Sequence, residues 1–307
     1  MVRNGLVIYG MAKGGSNLEL FVFGDIHGHL KELERDLQDA GYDEDNSNHL
    51  LIVLGDNFDR GTESKEVFLK FKKLTSEGKA IVLHGNHEDF IIDFLEGKDC
   101  MFNFKHNGFN KTLDSFLDQT CSWEMFCFMC NSDPDMAIAL YGNRVKPLLE
   151  DFYSIPVEVA FDVYQEYARQ EIRKNYKDLL PWLRSLPYYY ETEHYIFTHA
   201  AIDGSCDNWK EPKYTKYEFW TPWQYLTWDD GSFYVEPINN TPKTVVVGHF
   251  HTDAIRDKYD LPDGEVENDI LYGDRKIFLD TCTILTKRVN ILKINDNLEE
   301  ENRNESN

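Results

Sequence analysis

The sequence predicts an α/β fold in which mixed β-sheet is flanked by helices and interrupted by a helical insertion. Two observations predict it. In the first third of the chain, apolar runs of about five residues that end in glycine alternate with amphipathic stretches of helical period. Near residue 100 the pattern changes to aromatic-rich, helix-like sequence, and strand-like runs return near residue 188.

The first three strand-like runs are LELFVFG, HLLIVLG and KAIVLHG, and the helix-like stretches that follow them are LKELERDLQDA, SKEVFLKFKKL and HEDFIIDFLEG. Repeated strand–helix units of this kind build a buried, largely parallel or mixed sheet. Ligands of such sheets bind at the carboxyl ends of the strands, where loops and helix N-termini converge. The polar residues that follow each run are therefore candidate site residues.

The remainder of the chain completes this organisation. We interpret residues from about 97 to 187 as a helical insertion that covers the site. Strands resume in YYYETEHYIFTHA, TVVVGH, KIFLDT and KRVNILKIN, and LPDGEVENDILYGD predicts a loop or hairpin. The interpretation is one domain over residues 1–295, followed by a disordered acidic tail over residues 296–307.

Composition limits the kinds of function. The net charge of −22, from 54 acidic and 32 basic residues, repels polyanions and argues against a nucleic-acid partner, although it is compatible with a site for divalent cations. No stretch approaches the roughly 20 apolar residues of a membrane span, and the N-terminus lacks the pattern of a secretory signal. Six cysteines are too few to indicate a disulfide framework. We expect a soluble cytoplasmic protein with reduced thiols and no membrane partner.

Four clusters at predicted strand ends carry the chemistry. They are GDIHGH (24–29), GDNFDRG (55–61), GNHE (85–88) and GHFH (248–251). Carboxylate, imidazole and amide oxygen are ligands that suit Mn²⁺, Fe or Zn²⁺ more than Ca²⁺. Each short pattern alone is also typical of turns and helix caps. Four of them in this order, each after an apolar run, indicate a metal site.

Together with a lone histidine after the strand YIFT and the final Gly-His, this set resembles the phosphoprotein phosphatase branch of the calcineurin-like metallophosphoesterases. That branch includes serine/threonine phosphatases and symmetrical diadenosine tetraphosphate hydrolases, and the end of the chain is most similar to bacterial and phage-type members. The resemblance covers roughly residues 18 to 96 and 190 to 294. It implies an αββα sandwich, with layered central mixed sheets flanked by helices.

The resemblance also implies a site with two divalent metal ions, of which Mn²⁺ is the expected metal and Fe or Zn²⁺ the alternatives. Asp25 and His27 would bind the first ion, and Asp56 would bridge both. The second ion would be completed by Asn86, His199 and His249. Ions about 3.5–4 Å apart can hold a bridging hydroxide that attacks the phosphorus in line.

Three further residues handle the phosphate and the proton in this scheme. Arg60 would bind the phosphoryl oxygens as a planar, charged fork. His87, paired with Asp59, would serve as the general acid for the leaving oxygen. His251 has two interpretations, because the second His of GHxH binds the first metal in the wider class, whereas a polar residue at the rim of the site is the plain alternative.

One departure from the family concerns a second phosphate-binding arginine, which members normally carry between the HAA-type strand and the last Gly-His. Residues 200–247 contain no arginine. We expect Lys210, Lys213 or Lys216 to substitute, or Arg144 to reach in from the insertion, unless the phosphate is bound more weakly. This departure puts the substrate in doubt but not the metal site.

The expected function is a cytoplasmic phosphomonoesterase of the serine/threonine protein phosphatase type. A dinucleoside polyphosphate hydrolase, or another nucleotide phosphatase, shares all the motifs, so a phosphorylated protein or a nucleotide is the expected partner and the oligomeric state is left open. A non-catalytic binding module is disfavoured because every motif ligand is present, and a nuclease by the acidic balance. We interpret Cys127-x-x-Cys130 as core packing. The Tyr/Trp-rich runs indicate core or lid residues, with a stacking platform for a base or ring as the alternative.

Overall fold

Two mixed β-sheets form the centre of the structure, a computed structural model that describes residues 18–117, 122–149, 152, 155–206, 209–210 and 224–295. The predicted tail, 296–307, lies outside the described residues. The strands are β1 (Glu19–Phe23), β2 (His49–Val53), β3 (Ala80–Val82), β4 (Tyr189–Glu191), β5 (Tyr195–Thr198), β6 (Thr244–Val247), β7 (Leu271–Gly273), β8 (Lys276–Phe278) and β9 (Leu292–Asn295).

Helices connect and cover these strands. They are α1 (Leu30–Asp39), α2 (Ser64–Ser76), α3 (Asn86–Leu95), α4 (Met101–His106), α5 (Phe109–Phe116), α6 (Trp123–Ser132), α7 (Pro134–Tyr141), α8 (Val157–Asn175), α9 (Leu179–Ser185), α10 (Gln224–Thr227), α11 (Thr252–Lys258) and α12 (Thr283–Thr286). Every apolar run that the sequence predicted as a strand is one, and LPDGEVENDILYGD ends in the hairpin that β7 forms with β8.

The first sheet has the order β3-β2-β1-β9, and the second has the order β4-β5-β6-β8-β7. Each sheet contains three parallel strands: β1, β2 and β3 in the first, and β5, β6 and β8 in the second. Antiparallel strands complete the sheets, namely β9 in the first and β4 and β7 in the second. Both sheets are therefore mixed, as predicted.

The alternation of side chains along the strands explains the layers. In β1, Leu20 and Val22 point into a buried cluster that they share with Phe197 and Val246 of the second sheet, so the two sheets pack face to face. The other side of β1, with Phe21 and its neighbours, packs against helices in a separate cluster. The outer face of the second sheet has its own buried cluster. The result is the α/β sandwich of two sheets between helices that was expected.

The described residues of the stretch between α3 and β4 form helices α4 to α9 and a 3₁₀ helix over Asn143–Leu148, and none of them forms a strand. Its buried aromatic side chains, such as Phe109, Phe126 and Phe161, pack into the same cluster as the outer face of the first sheet. Cys130 is buried there and Cys127 packs beside it, and burial raises the pKa of both thiols, to about 11 and about 12. The Cys-x-x-Cys pair thus packs in the core.

Two negative observations concern the described residues alone. Their five cysteines are free thiols, and Cys121 lies outside them. No helix among them combines the length and the apolar character that crossing a membrane requires.

Candidate metal centre and active site

The residues that follow the parallel strands of both sheets meet at one place. Asp25 and Asp56 follow β1 and β2, and Asn86 begins α3 directly after the β3 loop. His199 follows β5, and His249 follows β6, in the second sheet. Because the two sheets are stacked face to face, the carboxyl ends of their strands form a single edge. The chain thereby brings together residues that lie up to 224 positions apart.

Six of the predicted site residues have a left-handed backbone, which is uncommon for residues with a side chain. Their φ angles lie between +44° and +70°, and they are Asp25, His27, Asp56, Asp59, Arg60 and His249. Bonds between neighbouring loops hold this conformation: the His27 N–H donates to the Asp56 carbonyl at 3.0 Å. Such conformations cost about 1–3 kcal/mol each and persist where the surroundings over-determine them, as they do at functional sites.

Asp56 lies between two groups of candidate metal ligands. In the first group, the ligand atoms of His27, Asp56 and His87 all lie within 4.8 Å of one another. In the second group, the same holds for Asp56, His199 and His249. Asp56 is the shared member, which is the placement that a bridging ligand requires. Among the described residues, these are the two groups of three or more His, Cys, Asp and Glu side chains with such spacing.

Backbone carbonyls fix the tautomers of two histidines in these groups. The Nδ1–H of His27 donates to the Phe58 carbonyl at 2.8 Å, and the Nδ1–H of His199 donates to the Leu54 carbonyl at 2.9 Å. A carbonyl oxygen only accepts, so the proton of each neutral ring lies on Nδ1. The lone pair of each Nε2 therefore faces the site, which is the arrangement of a metal-binding histidine.

The surroundings of His199 Nε2 test whether a cation fits. This nitrogen is 3.0 Å from Asn86 Oδ1, 3.1 Å from His249 Nδ1 and 3.3 Å from Asp56 Oδ1. With its own proton on the far side of the ring, it faces amide and carboxylate oxygens that also have only lone pairs to offer. Acceptors that crowd around one point are stabilised by a positive ion between them. The donor set therefore fits a metal ion.

The buried charges lead to the same conclusion. Burial raises the pKa of Asp25 well above its usual value, and the nearby carboxylates of Asp280 and Asp56 raise it further. Burial also raises the pKa of Asp280. Asp25 accepts the His249 N–H with both oxygens, at 3.0 Å each, and it lies outside both three-residue groups. Its role as a ligand of the first ion stays a prediction, and a divalent cation would offset the cost of ionising these crowded carboxyl groups.

Glu88 orders the loops beneath the metal groups, a role that the sequence analysis did not assign to it. Its carboxylate is fully buried and accepts the backbone N–H groups of Gly85 at 2.8 Å and of Asp56 and Asn57 at 3.0 Å, as well as the Asn57 side-chain amide at 3.0 Å. A buried carboxylate that accepts four hydrogen bonds is held in one orientation. Glu88 thus ties the β2 loop to the β3 loop, with Asp56 between them.

His87, Asp59 and Arg60 form a connected set beside the first group. The Nδ1–H of His87 donates to Asp59 Oδ2 at 2.6 Å, and His87 Nε2 lies 3.4 Å from Arg60 Nη2 and 3.8 Å from Asp56 Oδ2. Burial by itself lowers the pKa of His87, but the Asp56 and Asp59 carboxylates outweigh it and raise that pKa above its usual value. The structure therefore brings together the three residues predicted for phosphate and proton handling.

His251 lies outside both groups of metal ligands. Its side chain is 39% exposed, and its Nε2 lies 3.7 Å from Asp280 Oδ2. Asp280 follows β8, a parallel strand like the others, and is buried at the same edge. Sequence reasoning missed Asp280, although the run KIFLDT carries the signal of a carboxylate at a strand end that identified Asp25 and Asp56.

The predicted substitutes for the second arginine have acidic partners where the structure describes them. Arg144 pairs with Glu166 at 3.5 Å, and Lys210 pairs with Glu191 at 2.6 Å. Lys213 and Lys216 lie outside the described residues. The Nδ1–H of the buried His29 donates to the Ile26 carbonyl, so its Nε2 accepts a hydrogen bond from Lys287 at 2.9 Å.

Aromatic residues near the site divide between core and rim. Tyr188 and Tyr189 pack against the outer cluster of the second sheet, as the core interpretation predicted. Trp228 is 37% exposed, and its ring meets the ring of His249 edge to face at 5.5 Å between centroids. The residues between 211 and 223, which carry the rest of that aromatic run, lie outside the described residues.

Replacing Gly108 with alanine should lower activity through Arg60. Gly108 has φ +76°, its carbonyl accepts the Arg60 N–H at 3.2 Å, and an added Cβ would lie 2.6 Å from Arg60 N. Gly78 is the matched control, because it has φ +71° and open space around its Cα. Both Gly→Ala variants should lose about 1–2 kcal/mol of unfolding free energy to the left-handed backbone. Only Gly108→Ala should also lower kcat/KM for a phosphomonoester; equal activities of the two variants would contradict this.

Comparisons with known proteins identify the family of this chain. The family model of calcineurin-like phosphoesterases matches residues 18–275. A bis(5'-nucleosyl)-tetraphosphatase, PrpE (asymmetrical), from Oceanobacillus iheyensis is 32% identical over 90 residues, which are 27% of this chain and 36% of that relative. The match thus spans well under two thirds of the relative's own length.

Two solved structures are similar at low identity. A cold-active protein-tyrosine phosphatase from a psychrophilic Shewanella species has a TM-score of 0.47 and 15% identity, over 91% of this chain and 76% of that chain. A protein serine/threonine phosphatase from Saccharomyces cerevisiae has a TM-score of 0.41 and 13% identity, over 86% of this chain and 67% of that chain. The family model covers most of this chain, which also carries two groups of candidate metal ligands, and the chain belongs to the calcineurin-like phosphoesterases.

Proposed function

We propose that the protein is a phosphomonoesterase of the serine/threonine protein phosphatase type. The observation that carries the proposal is the arrangement of His87. Its Nδ1 is committed to Asp59, so its Nε2 is directed to the side where Arg60 and Asp56 lie, at 3.4 Å and 3.8 Å. A proton carrier beside a guanidinium and a metal-binding carboxylate suits the release of a poorly acidic alcohol from a phosphate monoester.

The residues divide the work as follows. Arg60 binds phosphoryl oxygens with its planar fork and so orients the phosphate against the metal groups. His87, protonated on both ring nitrogens, gives the proton on Nε2 to the leaving oxygen, while Asp59 accepts the Nδ1–H and holds the ring in place. The burial of His87 and Asp59, which are 3% and 0% exposed, keeps bulk water from competing for that proton.

Two divalent ions would be held by His27, Asp56, His199 and His249, with Asn86 and Asp25 as further oxygen donors. When bound, such ions supply a water of lowered pKa and positive charge opposite the phosphoryl oxygens. The mixture of imidazole, carboxylate and amide donors supports Mn²⁺ as the first metal to test, with Fe and Zn²⁺ as alternatives.

The second candidate is a dinucleoside polyphosphate hydrolase. The relative from Oceanobacillus iheyensis, a bis(5'-nucleosyl)-tetraphosphatase by name, supports it over 90 residues. The partly exposed ring of Trp228 beside His249 also supports it, because a nucleobase can stack on an exposed indole at the rim of a phosphate site. Both candidates use the same metal and phosphate residues and differ in the leaving group.

Turnover of three substrates by the Mn²⁺-loaded protein separates the candidates. We expect p-nitrophenyl phosphate and a phosphoserine peptide to be hydrolysed, the peptide with a kcat/KM at least about 10-fold above that of diadenosine tetraphosphate, because His87 is built to protonate an alkyl leaving group. EDTA should abolish all three activities, and Mn²⁺ should restore them. A preference for diadenosine tetraphosphate would favour the second candidate, and no turnover of any phosphoester by metal-loaded protein would contradict both.

A further inference from the structure

A threonine of the helical insertion contacts the general-acid pair. Thr112 lies on α5, 1% exposed, and its Oγ1–H donates to Asp59 Oδ1 at 2.6 Å. Thr112 Oγ1 also accepts the Asp59 backbone N–H at 2.8 Å. Ser64 Oγ, at the start of α2, lies 3.1 Å away. Neither Thr112 nor Ser64 belongs to the four strand-end clusters.

The directions of these hydrogen bonds follow from counting protons. A threonine hydroxyl has one proton, and an ionised carboxylate has none. Thr112 gives its proton to Asp59 Oδ1, so the proton between Ser64 and Thr112 comes from Ser64. Asp59 Oδ2 receives the Nδ1–H of His87 at 2.6 Å. The chain of hydrogen bonds therefore connects Ser64 to His87 through Thr112 and Asp59.

These hydrogen bonds determine the orientation of the His87 ring. Asp59 has no exposed surface, and one of its oxygens is bound to Thr112 while the other is bound to His87. Its backbone is left-handed, with φ +70°, so bonds from outside the loop are needed to hold it. Without the threonine hydroxyl, Asp59 Oδ1 would be a buried acceptor with no described donor. The carboxylate would then turn, and the imidazole with it.

We propose that Thr112 is a positioning residue for the general acid, which it aligns through Asp59. The inference rests on the proposed role of His87 as proton donor. It gives the insertion a function in the reaction itself: α5 supplies a hydroxyl on which the alignment of His87 depends, in addition to covering the sheet. The proposal concerns proton delivery, so its consequence depends on how much the leaving group needs a proton.

The test compares two substrates in Thr112→Val, which keeps the shape of the side chain and removes the hydroxyl. For a phosphoserine peptide, whose leaving group is a poorly acidic alcohol, kcat should fall about 10-fold or more. For p-nitrophenyl phosphate, whose leaving group departs with little protonation, kcat should change less than about 2-fold. Thr112→Ser keeps the hydroxyl and should restore the peptide activity to within about 2-fold of wild type. An equal loss with both substrates would overturn the proposal, as would a serine variant as slow as the valine variant.

A double-mutant cycle and a proton NMR spectrum test the same inference in two further ways. In a His87→Asn background, Thr112→Val should have no further effect on the peptide rate, because the residue on which it acts is gone. The NMR measurement uses Mg²⁺-loaded protein and follows the downfield resonance of the His87 Nδ1–H. This resonance should shift or broaden in Thr112→Val and stay in place in Thr112→Ser. An unchanged resonance in the valine variant would contradict the inference. If wild-type protein hydrolysed neither substrate, the proposed function would fail, and the resonance would still test the contact.

Discussion

Replacing Asp56 with asparagine should lower kcat/KM for p-nitrophenyl phosphate by more than about 100-fold, since the loss of a residue that only supports metal ligands already costs about 10–100-fold. Asp56 is the one residue common to both ligand groups. Its Oδ1 accepts the backbone N–H of His87 at 3.0 Å and lies 3.3 Å from His199 Nε2. Its Oδ2 lies 3.9 Å from His27 Nε2. Asparagine retains one oxygen but replaces the other with an NH₂ group, which donates hydrogen bonds and offers no lone pair to a cation.

Metal content should fall together with activity in this variant. Burial alone would raise the pKa of Asp56, but His199, His87 and His27 outweigh it and lower that pKa, which favours the negatively charged form of Asp56. The substitution would remove this charge from both groups at once. We expect mass spectrometry of the metals to give about two ions per wild-type chain and fewer in Asp56→Asn. The same change at the exposed Asp257 is the control and should alter neither quantity. If Asp56→Asn bound two ions per chain and had wild-type turnover, the bridging role of Asp56 would be wrong.

The strand ends explain why so much of this site is predictable from the sequence. Residues that follow parallel strands lie at one edge, so Asp25, Asp56 and His199 are brought together by the sheets themselves. The apolar runs predict those strands because buried strands leave little choice of side chain. The same rule applies to Asp280, which was missed because it stands in no recognised cluster.

Contacts across the fold are less predictable. Thr112 belongs to a helix and lies 53 positions from Asp59, and its surrounding sequence has only the apolar period of a packed helix. Glu88 was visible within GNHE, yet its role depends on three backbone N–H groups whose convergence the sequence does not encode locally. Hydrogen bonds to backbone depend on loop conformation, and this site uses left-handed residues that are not glycine.

The position of the His251 side chain is also not predictable from the sequence pattern. The resemblance to the wider class suggested that His251 is a metal ligand, and a polar residue at the rim of the site was the alternative. The left-handed turn at His249, with φ +67°, and the start of α11 at Thr252 place the His251 side chain at 39% exposure beside Asp280. Side chains two residues apart lie on the same face only where the backbone is extended. The strand has ended before His249, so His249 and His251 do not share a face.

Replacing His87 with asparagine should slow hydrolysis of a phosphoserine peptide by about 10³-fold, within the usual range for the loss of a general acid. The loss for p-nitrophenyl phosphate should be smaller, about 10-fold, because its leaving group departs with little protonation. Asparagine retains a polar group of modest size, and it lacks a titratable nitrogen. His106→Asn, at an exposed histidine of α4, is the control and should leave both rates unchanged.

The same variant separates two roles that the geometry allows for His87. Its Nε2 belongs to the group with His27 and Asp56, so the ring is placed either to bind the first ion or to give a proton beside it. Loss of a ligand would remove metal and slow both substrates by the same factor. Loss of an acid would leave the metal content at the wild-type value and slow the two substrates unequally. The commitment of Nδ1 to the buried Asp59, at 2.6 Å, and the nearness of Nε2 to Arg60, at 3.4 Å, favour the acid, because a phosphate bound by Arg60 brings its leaving oxygen to that nitrogen. Unequal rates with full metal content are therefore the expected result.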